Sequence, residues 1–312
     1  MPGLIECVPN FSEGRDERVV EMIRHAIQRV QTACVLDTHI DADHNRSVIT
    51  FAARADYVVA AAFNAVRQAS ELIDLRKHSG EHPRLGATDV LPFIPLQNAT
   101  MEDCVQLAHE AGKRIASELR IPVYFYERAA VRPDRVNLED VRRGAFELLR
   151  DQITTVSART PDEGEPRIHE SAGAIIIGAR PFLIAFNCVL KSNDLEAAKQ
   201  IAKKIRARGG GLPSLKALGF KLTTRNRVQV SMNLLDYRVT GMRQAYEAVR
   251  REAELLGIEV ESAEIVGLVP REALDESAAY FHKLENFSRS KVLENQLSGC
   301  DFLEATVSVQ PQ

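Results

Sequence analysis

The densest collection of groups able to move a proton lies in RKHSGEHPRLGATD (76–89), where His78, Glu81, His82, Arg84 and Asp89 stand among Gly80, Pro83 and Gly86. An imidazole titrates near neutral pH, so it can both take and return a proton during one reaction. Glycine and proline bend the stretch into a loop, and loops are where reacting side chains are usually displayed. A surface loop with incidental histidines would read the same way.

A second polar cluster, DTHIDADHNR (37–46), offers Asp37, His39, Asp41, Asp43, His44 and Arg46. Such a mixture can bind a divalent metal, but its spacing fits no standard motif, and turns favour Asp and Asn for backbone reasons alone. The third is ARGGGLPS (207–214), whose bare backbone would admit a flat or anionic ligand. It lacks the GK[ST] that follows the glycines of a P-loop, so a nucleotide phosphate is not its expected partner. It lies in residues 197–235, a stretch with nine cations and no acid (Lys199, Lys203, Lys204, Arg206, Arg208, Lys216, Lys221, Arg225 and Arg227). An anionic ligand is expected there.

The elements that must position these groups follow from periodicity. Val19, Ile23, Ile27 and Val30 recur at helical spacing, as do Val59, Phe63, Val66 and Ile73. Between them ACVLDTHI (33–40) and RSVITFA (46–52) read as a hairpin, with LIECVP (4–9) before and DVLPFIPL (89–96) behind. The order is β-α-β-β-α-β. A helix capped by Thr100 carries Cys104, Leu107, Ala111, Ile115 and Leu119 on one face, followed by the strand 122–127 and a helix over 138–150. The order recurs in strand 181–190, a helix marked by Ala198, Ile201, Ala202 and Ile205, strands 215–222 and 227–235, helix 241–256 and strand 259–269. Two such units predict an α+β fold of tandem ferredoxin-like (βαββαβ) subdomains, 1–177 and 178–312, with their sheets facing each other across a ligand cleft or tunnel. The aperiodic, Pro- and Gly-containing stretch 151–173 is expected to link them.

At 312 residues, 45% hydrophobic and 27% charged, the chain suits a globular protein of two halves. A net charge of −3 makes no case for nucleic acid, and no apolar run is long enough to span a membrane. Five cysteines without a CxxC pair (Cys7, Cys34, Cys104, Cys188, Cys300) read as reduced thiols, which points to the cytoplasm.

Taken together, ECVPNFSEGR (6–15), HNRSVITF (44–51), GEHPRLGATDVLPFIPL (80–96), GARPFLIAFNCVL (178–190) and VSMNLLDYRVTG (230–241) resemble the glutamate formimidoyltransferase family. The likeness runs nearly end to end. It implies that His82 is the catalytic histidine and tetrahydrofolate the co-substrate, with no metal. The implied folate site comprises Gly164, Glu165, Pro166, Arg167, Ile168, His169, Glu170, Ser171, Ala172 and Gly173, together with Gly210, Gly211 and Leu212. The loop 39–44 reads HIDADH where animal members carry an Asp- and Ser-rich form, so the likeness assigns no role to His39 or His44.

In the implied reaction, N5 of tetrahydrofolate attacks the formimino carbon of N-formimino-glutamate, and the tetrahedral intermediate collapses to release glutamate. His82 would relay the protons. Asp37 or Asp89 could stabilise a protonated formimino group, while Arg46 and Arg84 are candidates for the glutamate carboxylates. The partners implied are small molecules, including polyglutamylated folate, within a homodimer. Three alternatives stand beside this reading: formyl transfer or cyclisation of 5-formyl-tetrahydrofolate on the same fold, a metal-dependent amidohydrolase using His39, Asp41, His44, His78 and His82, and a non-catalytic binding protein.

Overall fold

The computed structural model describes residues 3–80, 83–285 and 287–302, and divides into two compact units. One comprises Met1–Arg180 with Gly299–Gln312; the other is Pro181–Ser298.

The first unit opens with β1 (Leu4–Cys7) and β2 (Asn10–Phe11), followed by α1 (Glu17–Gln28), β3 (Cys34–Asp41), β4 (Arg46–Arg54), α2 (Ala55–Leu72) and β5 (Thr88–Pro95). The expected strand 4–9 is thus two pieces in one slot, both lying between β4 and β5. Pro9 sits at the break, where a residue without an N–H cannot serve the ladder, although its carbonyl accepts from Ile49. Asp16 caps α1, which buries Val20, Ile23 and Ile27. The sheet continues through α3 (Met101–Leu119), β6 (Val123–Glu127), α4 (Leu138–Val141), α5 (Ala145–Gln152) and β7 (Ile175–Ala179). Thr100 caps α3 as expected, and with Asp103 it forms a reciprocal capping box.

Sequence reading places no strand at 175–179. β7 runs parallel between β5 and β6, and all five of its residues are buried. A strand covered on both faces has no polar alternation to betray it, only the apolar run AIIIGA. One face of this sheet meets α1, α2 and α3 in the main core. A smaller core, with Leu85, Tyr124, Tyr126, Leu149 and Ile176, lies beneath α4 and α5. The single helix expected over 138–150 is broken because Gly144 takes the left-handed conformation at φ +84°.

The second unit consists of β8 (Ile184–Leu190), α6 (Leu195–Ile205), β9 (Leu215–Leu222), β10 (Arg227–Leu234), α7 (Met242–Glu254) and β11 (Val260–Val266), ending in α8 (Leu293–Ser298). Its four strands are antiparallel in the order β11-β8-β10-β9. Asp194 caps α6, whose Ala198, Ile201, Ala202 and Ile205 enter the core with Tyr246 and Val249 of α7.

Two expectations are corrected. The stretch 151–173 is not a loose link but a strap on the first unit. Arg135 and Asp162 form an ion pair at 4% exposure each, and Asp162 Oδ2 also accepts from the Phe125 N–H at 2.8 Å. Arg159 donates to the carbonyls of Val141 and Arg143. Pattern reading fails here because the strap has no periodicity of its own; its order comes from side chains reaching backbone carbonyls.

Nor are all five cysteines reduced: Cys34, at the start of β3, is disulfide-bonded to Cys300, 266 positions away. Cysteines so far apart carry no spacing signal. Cys7, Cys104 and Cys188 remain thiols and are buried, and burial pushes the Cys104 thiol up to about 12. Thiol titration of the denatured, unreduced protein should therefore count three groups, and five after reduction; five without reduction would remove the bond.

Candidate active site

Two turns of the first unit converge. The first joins β3 to β4, where Asp41 pairs across the ladder with Arg46. Asp41 accepts from the backbone N–H of His44 at 2.9 Å, and its other oxygen lies 2.7 Å from His44 Nδ1. Burial would raise the Asp41 carboxyl, but the side-chain and backbone hydrogen bonds from His44 win and hold it down at about 2. Asn45 follows in the left-handed region at φ +47°, a conformation asparagine tolerates. Its side chain takes the Gly14 N–H at 3.0 Å and donates to the Ser79 carbonyl at 2.9 Å, tying the hairpin to the second turn.

That second turn is the histidine-bearing loop. Gly80 passes so close to the hairpin that a Cβ there would lie 2.4 Å from the His44 carbonyl oxygen. His78 Nε2 is 3.0 Å from the Asn45 carbonyl, and Arg84 Nε donates to His78 Nδ1 at 2.9 Å. The Arg84 guanidinium also forms a fork onto Glu147 of α5, at 3.2 and 2.8 Å. Asp89 accepts from the Leu85 N–H at 2.8 Å and forms an ion pair with Arg142. The backbone therefore holds this loop through carboxylates supplied by its own end and by α5.

His44, Asn45, Arg46, His78, Arg84 and Asp89 share the wall of one small cavity. Arg46 Nε is buried in it without a hydrogen-bond partner. Burial, helped by the charge of Arg142 and opposed by Asp89 and Asp41, brings the Arg46 guanidinium down to about 10. A cation so poorly compensated is suited to an anion. Asp37 is not in that wall: it pairs with Thr50, further along the β3–β4 ladder. His82 and Glu81 lie outside the described residues.

The strap brings the predicted folate segment to the same loop. Leu75 N–H donates to the Ser171 carbonyl, Ala87 N–H to that of Ala172, and Ala174 N–H to that of Leu85, at 2.9 to 3.0 Å. Gly86 and Gly173 pair as a bridge, and a Cβ on Gly173 would meet the Leu85 oxygen at 2.3 Å. Gly164 and Gly173 both have positive φ, at +90° and +72°. His169 and Gly173 close a tight turn in which His169 Nδ1 accepts the Ala172 N–H at 3.0 Å. Burial lowers the His169 pKa, against the opposing charge of Glu170.

Gly210, Gly211 and Leu212 belong to the second unit, where they close off α6: Gly211 and Leu212 donate to the carbonyls of Arg206 and Ile205. The cations around them are partly compensated from outside their own stretch, Lys204 by Glu252, Arg225 by Glu285 and Arg227 by Glu261. Among the described residues, no three His, Cys, Asp or Glu side chains gather as a metal's ligands would.

Sequence reading missed Glu147, Arg142 and Asn45. Glu147 on α5 and Arg142 in the turn after α4 lie 63 and 53 positions from their partners. Asn45 carried a weak signal, since an Asn between two strands marks a turn residue with side-chain bonds to spare.

The chain matches the formiminotransferase domain, N-terminal subdomain, over residues 4–180 and the formiminotransferase domain over 185–297. It is 49% identical to a glutamate formimidoyltransferase of Thermoplasma acidophilum, over 94% of this chain and 97% of that one. To a glutamate formimidoyltransferase of Streptococcus pyogenes it is 40% identical, over 96% and 100%. A formimidoyltransferase-cyclodeaminase of Rattus norvegicus is 42% identical over 97% of this chain, which spans 58% of that longer protein. The histidine loop, the strap laced to it and both units thus fall within one end-to-end match, and the chain belongs to the formiminotransferase family.

Proposed function

We propose that the chain transfers the formimino group of N-formimino-L-glutamate to N5 of tetrahydrofolate, giving 5-formimino-tetrahydrofolate and L-glutamate. The observation that carries this, beyond family membership, is the backbone ladder between the histidine loop and residues 171–174, which joins the two segments the reaction needs.

His82 is the proton relay in this reading. It takes the proton from N5 as the new C–N bond forms, and returns it to the departing glutamate nitrogen as the old one breaks. Arg46, buried and short of partners, receives a substrate carboxylate. Of Asp37 and Asp89, Asp89 is the carboxylate for the protonated formimino group, since it lines the cavity and Asp37 does not. Residues 164–173 hold the folate, for which the exposed backbone of Gly164 is suited. Gly210, Gly211 and Leu212 complete the folate contacts, and the cations of 197–235 suit a polyglutamate tail. Both halves are then ferredoxin-like plaits, as the order of β8, α6, β9, β10, α7 and β11 supports for the second. A cytoplasmic location belongs to this reading, and the Cys34–Cys300 disulfide is evidence against it.

The test is turnover with each donor offered in turn. Formimino-glutamate with tetrahydrofolate should yield 5-formimino-tetrahydrofolate at a rate unchanged by a chelator. Product from 5-formyl-tetrahydrofolate alone would favour the formyl chemistry instead, and loss of activity on chelation would favour a metal-dependent hydrolase.

A further inference from the structure

Both described chain ends that flank positions 81 and 82 are fixed. On one side the Ser79 carbonyl accepts from the Asn45 side chain, and Gly80 is pressed against the His44 carbonyl. On the other, the Arg84 carbonyl accepts the Phe146 N–H of α5 at 2.8 Å, while its guanidinium spans from His78 to Glu147. Arg84 uses Nε on His78 Nδ1, and Nη1 and Nη2 on Glu147, with Nη2 also reaching the His78 carbonyl at 3.3 Å. Its side chain is only 12% exposed. Although it borders the cavity, four of its five N–H donors are already committed.

We infer that Glu147, Arg84 and His78 form a positioning relay that clamps the histidine loop, and that the clamp requires His78 to be neutral. The inference rests on the function proposed above, since it gives the loop a geometry to hold for His82. Arg84 can donate to Nδ1 only where that nitrogen keeps its lone pair, so the ring proton resides on Nε2 and is donated to the Asn45 carbonyl. A second proton on Nδ1 would set two N–H groups against each other beside a permanent cation. The other charges acting on His78 are Glu13 and Arg15, from the turn between β2 and α1. Burial, with Arg84 and Arg15, lowers its pKa against the opposing pull of Glu13 and of the Asn45 carbonyl. The sign follows: the clamp is intact above the ordinary histidine range and is lost as pH falls through the depressed value.

Holding a reacting group in register acts on the rate rather than on substrate affinity, and a misplacement of one ångström can cost about 100-fold. Glu147→Gln and Arg84→Lys should therefore each lower kcat by about 10- to 100-fold, with KM changed less than about threefold. Glu147→Asp should restore part of the loss, and thermal midpoints measured alongside should stay near that of the parent. His78→Asn keeps an acceptor in place of Nδ1 but cannot titrate, so it should retain most of kcat above pH 8 and make the acid fall of the kcat profile shallower, with His82 left to titrate alone. A rise in KM with kcat unchanged would show that Arg84 binds substrate directly and overturn the relay, as would unchanged kinetics in both variants. An acid fall as steep in His78→Asn as in the parent would overturn the requirement for a neutral ring. His82→Ala separates the two levels: full activity there removes the reading beneath the relay, whereas an inactive His82→Ala beside fully active Glu147→Gln removes the relay alone.

Discussion

Replacing His82 by alanine is expected to lower kcat for formimino transfer by about 10²- to 10⁴-fold, the usual worth of a positioned acid/base group. Both steps need a proton moved. The attacking amine becomes a better donor as its proton leaves, and glutamate nitrogen is a poor leaving group unless it is protonated. One imidazole can serve both because its ordinary pKa lies near the working pH. The backbone of 169–174 and the cation at Arg46 are untouched by the substitution, so the affinity for tetrahydrofolate should change less than about threefold, which is under 1 kcal/mol. Fluorescence titration of the inactive variant with folate measures that affinity separately from turnover. A variant that transfers at the parental rate would take His82 out of the mechanism, and one that neither transfers nor binds would show that His82 acts by holding folate.

How far this could be read without coordinates depended on where the relevant forces act. Helices whose burial is one-sided were legible: the faces of α1, α3 and α6 repeat at the helical period, and Thr100 marks the start of α3. β7 was not, because burial on both faces erases alternation. The same divide runs through the site. His78, His82, Arg84 and Asp89 fall within one short stretch of sequence, so their proximity announces them. Glu147 looks like any solvent-facing acid on a short helix, and its meaning lies in a contact 63 positions away. The strap is the extreme case: proline, glycine and charge suggested a connector, yet Asp162 and Arg159 direct those charges inward or onto carbonyls.

Asp162→Ala should destabilise the first unit by about 3–5 kcal/mol, the usual cost of leaving one member of a buried ion pair alone. Arg135 would keep its charge at 4% exposure, stacked 4.9 Å over the Tyr124 ring, with no carboxylate beside it. The Phe125 N–H would lose its acceptor as well. The carbonyls of Ala158 and Thr160 would still accept from Arg135, but they are dipoles and cannot replace a countercharge. Replacing both members, as Arg135→Met with Asp162→Ala, removes the orphaned charge, so the double variant should recover most of that loss in urea denaturation. If the single variant costs less than about 1 kcal/mol, the pair is solvated and the strap is held by other means. The consequence reaches the site because Glu163, which bridges to Val123 of β6, leads directly into the proposed folate segment. Slackening the strap at Asp162 should raise the KM for tetrahydrofolate more than that for formimino-glutamate, which separates it from damage to the histidine loop, where kcat falls and both KM values hold.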